Sequence, residues 1–120
     1  MRDRARLIGQ LSSTSGESLA TFAPYNGQRL ADLPQCTDAD VAAAFERARS
    51  AQRSWAATAV RDRVKIVLEL HDLLLARQDE IMDLIQAENG KSRRDAFLEV
   101  ADIANTARYY ARVARGLLRD

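Results

Sequence analysis

The stretch Ala87-Glu88-Asn89-Gly90-Lys91-Ser92 constrains this chain most, because it stops one helix and starts another within a few residues. Upstream, Ile81, Leu84 and Ile85 recur at helical spacing. Asn89-Gly90 predicts a left-handed C-terminal cap, a conformation glycine adopts without a Cβ penalty. Ser92 is then the expected N-cap, with Asp95 three residues on in the capping-box position. A helical pattern runs from there to about Arg115, with Gly116 expected to end it. Two helices meeting at a glycine corner are a structural arrangement, and the corner alone assigns no chemistry.

Three further helices are expected before it. Thr37 can cap the first, with Cys36 and Val41 placed as a hydrophobic staple. Its apolar stripe is Val41, Ala44, Phe45, Ala48 and Trp55, and Trp55 reads as a core anchor at the helix end. The second runs from about Val60 to Ala76. Val60, Val64, Val67, His71 and Leu74 form one stripe, and Ile66, Leu70 and Leu73 a neighbouring one. That helix should therefore be packed on more than one side. The third spans about Gln78 to Glu88 and leads into the corner. The fourth would be ~34 Å long at 1.5 Å per residue. Phe97, Val100, Ala101, Ala104, Ala107, Ala111 and Ala114 give it a largely small-residue face that allows close approach of another helix, and Ile103, Tyr110 and Val113 a second apolar edge.

The N-terminal third has a different period. Leu19–Phe22 and Gln28–Leu33 flank Pro24-Tyr25-Asn26-Gly27, and Asn-Gly is a strong hairpin signal because both residues accept positive φ. A lone two-stranded hairpin is marginal in water, and its supporting partner is not evident in the sequence. Residues 1–18, with the cluster Ser12-Ser13-Thr14-Ser15-Gly16, are expected to be a flexible N-terminus, since they offer little to bury. Residues 19–120 then form one hairpin-plus-helical segment of mainly α class.

Composition narrows the function classes. Net charge is +1, which leaves no electrostatic footprint for nucleic acid. No apolar run reaches the ~18 residues of a membrane span. Met1-Arg2-Asp3-Arg4 has no continuous apolar run behind it, so no signal peptide is expected. The single cysteine excludes an internal disulfide and suits a reducing, cytoplasmic setting.

The segment LHDLLLARQDEIMDLIQAENGKSRRDAFLEV, followed by ARYYARVAR, resembles the N-terminal helical region of the NAD(P)-dependent aldehyde dehydrogenase superfamily. The matching elements are Arg63, Leu70, Leu73, Ile81, Leu84, Glu88, Gly90, Lys91, Glu99, Arg108, Tyr109 and Tyr110, in register without a gap. Within the superfamily the wording is similar to bacterial succinate-semialdehyde dehydrogenases, and the likeness runs from about Leu19 to the last residue. Ser92 stands where many members carry proline, and both residues suit a helix start. The resemblance implies the helical N-terminal part of an α/β fold without its Rossmann-type sheet, and NAD or NADP as cofactor of a complete member. It implies oxidation of an aldehyde to the acid through a cysteine thiolate, a thiohemiacetal, hydride transfer and a glutamate-activated water. It also implies that the fourth helix borders the substrate entrance, with Leu98 and Asp102 one turn apart facing the tunnel; solvent or a neighbouring helix is the alternative surrounding for them.

The chain's own residues are short of that chemistry. Dinucleotide binding needs a strand, a glycine-rich turn and a helix, but Gly9, Gly16, Gly27, Gly90 and Gly116 never cluster, so no cofactor is expected to bind this chain. Gly90-Lys91 lacks the earlier glycine and the strand of a P-loop. Cys36 falls at a helix start outside any matching motif, with no base visibly beside it. His71 lies on an apolar stripe and reads as a neutral core histidine, and no ligand cluster at zinc spacing surrounds it. Glu88 and Glu99 read as partners for nearby Arg or Lys. No catalytic, cofactor or metal residue is therefore assigned. Two readings stay open: an N-terminal portion of an aldehyde dehydrogenase, partnered by the rest of that fold or by its own copies, and a stand-alone helical protein-interaction module.

Overall fold

The computed structural model describes residues 6–118, and they follow the expected order of a hairpin and helices. Strands β1 (Ser18–Phe22) and β2 (Arg29–Pro34) precede helices α1 (Asp38–Ala57), α2 (Val60–Ala76), α3 (Gln78–Asn89) and α4 (Arg93–Leu117). The chain divides into two compact units, residues 1–53 and 54–120. No helix among the described residues is long and apolar enough to cross a membrane.

In the first unit, β1 and β2 pair antiparallel, with Ser18 opposite Pro34 and Ala20 opposite Asp32. A bulge at Thr21/Phe22 shifts the register. The connection is wider than a two-residue Asn-Gly turn. Ala23 N–H donates to Gln28 O at 2.8 Å, and Gly27 N–H donates back to Ala23 O at 2.9 Å. Gly27 alone takes positive φ, at 68°, whereas Asn26 stays on the negative side. Asn26 contributes through its side chain instead, its Oδ1 accepting from Gln28 N–H at 2.9 Å. Pro24 sets a negative φ at the first loop position, which favours a longer helical turn over the mirror-image tight turn.

The serine-rich stretch has more to hold it than its lack of apolar residues suggests. Ser15 Oγ donates to Gln35 O at 2.6 Å, and Ser13 Oγ also contacts that oxygen. Thr14 donates to Asp40 twice, from its amide at 3.1 Å and from its hydroxyl at 2.8 Å. Thr37 caps α1 as expected, its Oγ1 accepting from Asp40 N–H at 3.1 Å. Hydroxyls thus supply the tertiary contacts that apolar groups would supply elsewhere. Residues 1–5 of the expected flexible N-terminus lie outside the described residues.

In the second unit, α4 is the element on which α2 and α3 pack. Val60 and Val64 of α2 meet Ala111 of α4, with Val67 and Ala114 alongside. Met82 of α3 meets Ala96 and Val100, with Ile81 and Ile85 alongside. Alanines at 96, 104 and 111 are buried because their small side chains let another helix come close. The corner forms as expected: Gly90 sits at φ 70° and ψ 14°, its N–H on Gln86 O, and Ser92 accepts from Asp95 N–H at 3.1 Å.

Several expectations change here. Gly116 does not end α4: its φ is not positive, and the helix runs through it to Leu117, because glycine stops a helix only when it turns left-handed. The α1 stripe is not a core, since that helix buries no residue and Trp55 is 42% exposed. Phe97 also stands outside the α4 seam, largely exposed. On α2, the valine stripe is packed while Ile66, Leu70 and Leu73 are each about half exposed. One helix can cover only one face of α2, and the second stripe has no covering element among the described residues.

Candidate functional site

The outer side of α4 carries the residues singled out for a substrate entrance. At 100° per residue, Leu98 and Asp102 fall roughly 160° to either side of Val100, opposite the buried seam. Both are exposed, Leu98 at 55%. Further along, the rings of Tyr109 and Tyr110 meet edge to face with centroids 5.3 Å apart and an interplanar angle of 78°. Both tyrosines are largely exposed.

Ion pairs hold α4 at the corner. Arg93 reaches back to α3, donating to Asp79 Oδ1 at 2.7 Å, to Gln86 Oε1 at 3.2 Å and to the Asp83 carboxylate. Lys91 pairs with Glu99, as expected of that glutamate, whereas Glu88 is exposed. Arg77 binds Glu80 through two parallel contacts, Nε at 2.7 Å and a terminal nitrogen at 2.6 Å. Asp62 is held below its ordinary range by the hydrogen bond from Lys65, at 3.0 Å, with Lys65 and Arg61 charges assisting. These are scaffold contacts between neighbouring turns and helices.

The other candidates stay apart from any reaction centre. Cys36 is exposed, and its Sγ contacts the backbone oxygen of Ser12 at 3.5 Å, which offers no proton-accepting side chain. His71 is mostly covered, with Nδ1 2.8 Å from Asp72 Oδ1, so one ring nitrogen is satisfied as expected. Among the described residues, no group of three or more His, Cys, Asp or Glu could hold a metal ion.

In the second unit, α2 and α4 flank a groove of about 200 Å³. Its walls are apolar, with Val64 and Val67 on one side, Ala111 and Ala114 on the other, and Trp55 and Tyr110 beside them. Arg63 also lines it, and its Nε is buried with no hydrogen-bond partner among the described residues. The only signal for this in the sequence is a charged residue set between Val60 and Val67 on a packed face; spacing could place it there but could not show that its donor goes unmet.

Comparison with known proteins gives a consistent picture. The family model described as aldehyde dehydrogenase family matches residues 11–120. A protein of Mycolicibacterium smegmatis named "Putative succinate-semialdehyde dehydrogenase [NADP(+)]" is 46% identical over 94 residues, covering 78% of this chain and 18% of its own length. A similarly named Mycobacterium ulcerans protein is 43% identical over 95 residues, covering 79% of this chain and 18% of its own. The crystal structure of an NAD-dependent benzaldehyde dehydrogenase from Corynebacterium glutamicum superposes with a TM-score of 0.81 at 32% identity, over 87% of this chain and 23% of that one. An NADP-dependent glyceraldehyde-3-phosphate dehydrogenase from Bacillus halodurans C-125, complexed with NADP, superposes with a TM-score of 0.84 at 31% identity, over 91% and 22%. The chain therefore spans about a fifth of the length of the relatives it matches.

Proposed function

The chain belongs to the aldehyde dehydrogenase family, and from that premise we propose that it is the N-terminal portion of an NADP-dependent succinate-semialdehyde dehydrogenase, acting in the cytoplasm. The observation that carries the substrate is the 46% identity to the Mycolicibacterium smegmatis protein of that name. In this reading, residues 19–120 are the hairpin and helical part that precedes the cofactor-binding sheet. The residues themselves support that division of labour. The glycines do not cluster in a phosphate-binding turn, and Cys36 contacts a backbone oxygen in place of a base.

The chain alone is therefore proposed to oxidise no aldehyde and to bind no dinucleotide. Within a complete enzyme, Leu98 and Asp102 would line the substrate tunnel. Their exposure on the outer side of α4 leaves them accessible for that role.

The purified chain titrated calorimetrically with NAD and NADP, then assayed with succinate semialdehyde, should give neither heat nor turnover. Micromolar binding or turnover above the uncatalysed rate would overturn the incompetence of the isolated chain. Joined to the continuation of the Mycolicibacterium smegmatis relative, residues 1–120 should support oxidation of succinate semialdehyde in preference to other aldehydes. In that chimera, Leu98→Ala and Asp102→Ala should change KM across aldehydes of different length, and unchanged values would remove both from the tunnel.

A further inference from the structure

The groove between α2 and α4 combines two features that a finished protein surface avoids. Its aromatic walls, Trp55 and Tyr110, are 42% and 62% exposed although they border an apolar concavity. Its one charged lining residue, Arg63, keeps a buried Nε with no acceptor among the described residues. Large apolar side chains gain when covered, and buried donors in native structures nearly always find an acceptor. The groove therefore asks for an occupant that brings apolar side-chain surface and one acceptor oxygen together. A stretch of polypeptide does so, through a side chain and a backbone carbonyl.

Where the chain leaves α4 narrows the choice of occupant. Leu118, immediately beyond α4, itself lines the groove. Polypeptide continuing beyond Leu118 would set out from beside the groove, and closing so short a loop costs little chain entropy. The family match reaches residue 120, and relatives extend well beyond the portion that this chain covers.

We propose that this groove seats the segment that directly follows residue 120 in a complete dehydrogenase chain, with an apolar side chain set beside Trp55 and Tyr110 and a backbone carbonyl oxygen on Arg63 Nε. The proposal rests on reading the chain as the N-terminal portion of such an enzyme. It adds a named contact surface and a positioning role for Arg63, in which the guanidinium fixes the path of the chain as it leaves α4.

The test uses the full-length chimera of residues 1–120 with the Mycolicibacterium smegmatis continuation. Tyr110 is replaced by the photoreactive analogue p-benzoylphenylalanine, the protein is irradiated, and the cross-linked peptides are mapped by mass spectrometry. Cross-links should fall within about thirty residues after the junction, the length of one βαβ unit. Cross-links confined to other regions, or none, would overturn the proposal. Should the chimera not fold, the same analogue at the aligned position of the intact relative answers the question. Arg63→Met supplies the second readout. In the isolated chain it removes an unmet donor, so Tm should hold or rise. In the chimera it strands the carbonyl, so Tm should fall. A change of the same sign in both would show that Arg63 acts only within this chain. Aldehyde oxidation by the chimera is scored separately: an active chimera without the cross-links defeats the groove assignment alone, and an inactive one with them defeats the assigned activity alone.

Discussion

Asp40 accepts hydrogen bonds from the Thr37 and Thr14 amides and from both hydroxyls, and these hold its carboxyl well below its ordinary value of 3.8. A folded-state value below the unfolded one means that the carboxylate contributes stability above about pH 4, and that this contribution is lost as pH falls toward the depressed value. The Tm difference between the native chain and Asp40→Ala should therefore be largest near neutrality and shrink in acid. A difference independent of pH would show that the carboxylate's charge is not what matters. The Thr14 amide should also exchange faster with solvent in Asp40→Ala, because its acceptor is gone. At the corner, Gly90→Ala places a Cβ in left-handed backbone and should cost about 1–2 kcal/mol. Ser92→Ala removes the cap on Asp95 N–H and should cost about 1 kcal/mol. Urea midpoints at constant m-value measure both, and an unchanged midpoint for Gly90→Ala would mean that the corner relaxes.

Among the elements, α2 and α4 separate what the helical period specifies from what packing decides. Val100 is 1% exposed and packs against Met82 and Ala96. Val100→Ala removes two methyl groups at ~0.8 kcal/mol each and leaves a cavity, so about 1.5–3 kcal/mol of stability should be lost. Leu70 deletes more volume but is 50% exposed, and Leu70→Ala should shift the isolated chain by no more than about 0.5 kcal/mol. In the full-length chimera the same Leu70→Ala should cost about 2–5 kcal/mol if the stripe is covered there. Parallel thermal melts of the two backgrounds decide this. Equal small effects in both would show that the Ile66, Leu70 and Leu73 stripe is a true surface.

At the scale of the whole molecule, exposed large apolar side chains outnumber buried ones among the described residues: Ile66, Leu70, Leu73, Phe97, Ile103 and Leu117 are all open, while the buried side chains are alanines, valines and Met82. A domain of this size has about 5–15 kcal/mol of net stability, and each covered Leu or Ile is worth about 1.5–3 kcal/mol. Leaving several uncovered forgoes much of that margin. The hairpin also presents open strand edges to other chains. The isolated chain should accordingly show strong helical circular dichroism, bind ANS, melt broadly and self-associate with increasing concentration. A sharp two-state melt of a monomer that binds no ANS would favour a stand-alone helical module over a portion of a larger enzyme.

The sequence by itself determined the elements and their joints. Thr37, Asn89-Gly90 and Ser92 marked helix ends because capping is local chemistry, satisfied by atoms within a few residues. The α2 boundaries and the hairpin strands were legible for the same reason, as period and turn residues act at short range. Only the tertiary structure decided which apolar stripe of α2 is core, because both are apolar and what separates them is whether another helix lies on them. It alone showed Trp55 open, Gly116 helical and Thr14 tied to Asp40 across twenty-six residues of chain. It alone also exposed the groove, since a buried Arg63 Nε without an acceptor among the described residues is a property of packed surroundings that residue spacing does not carry.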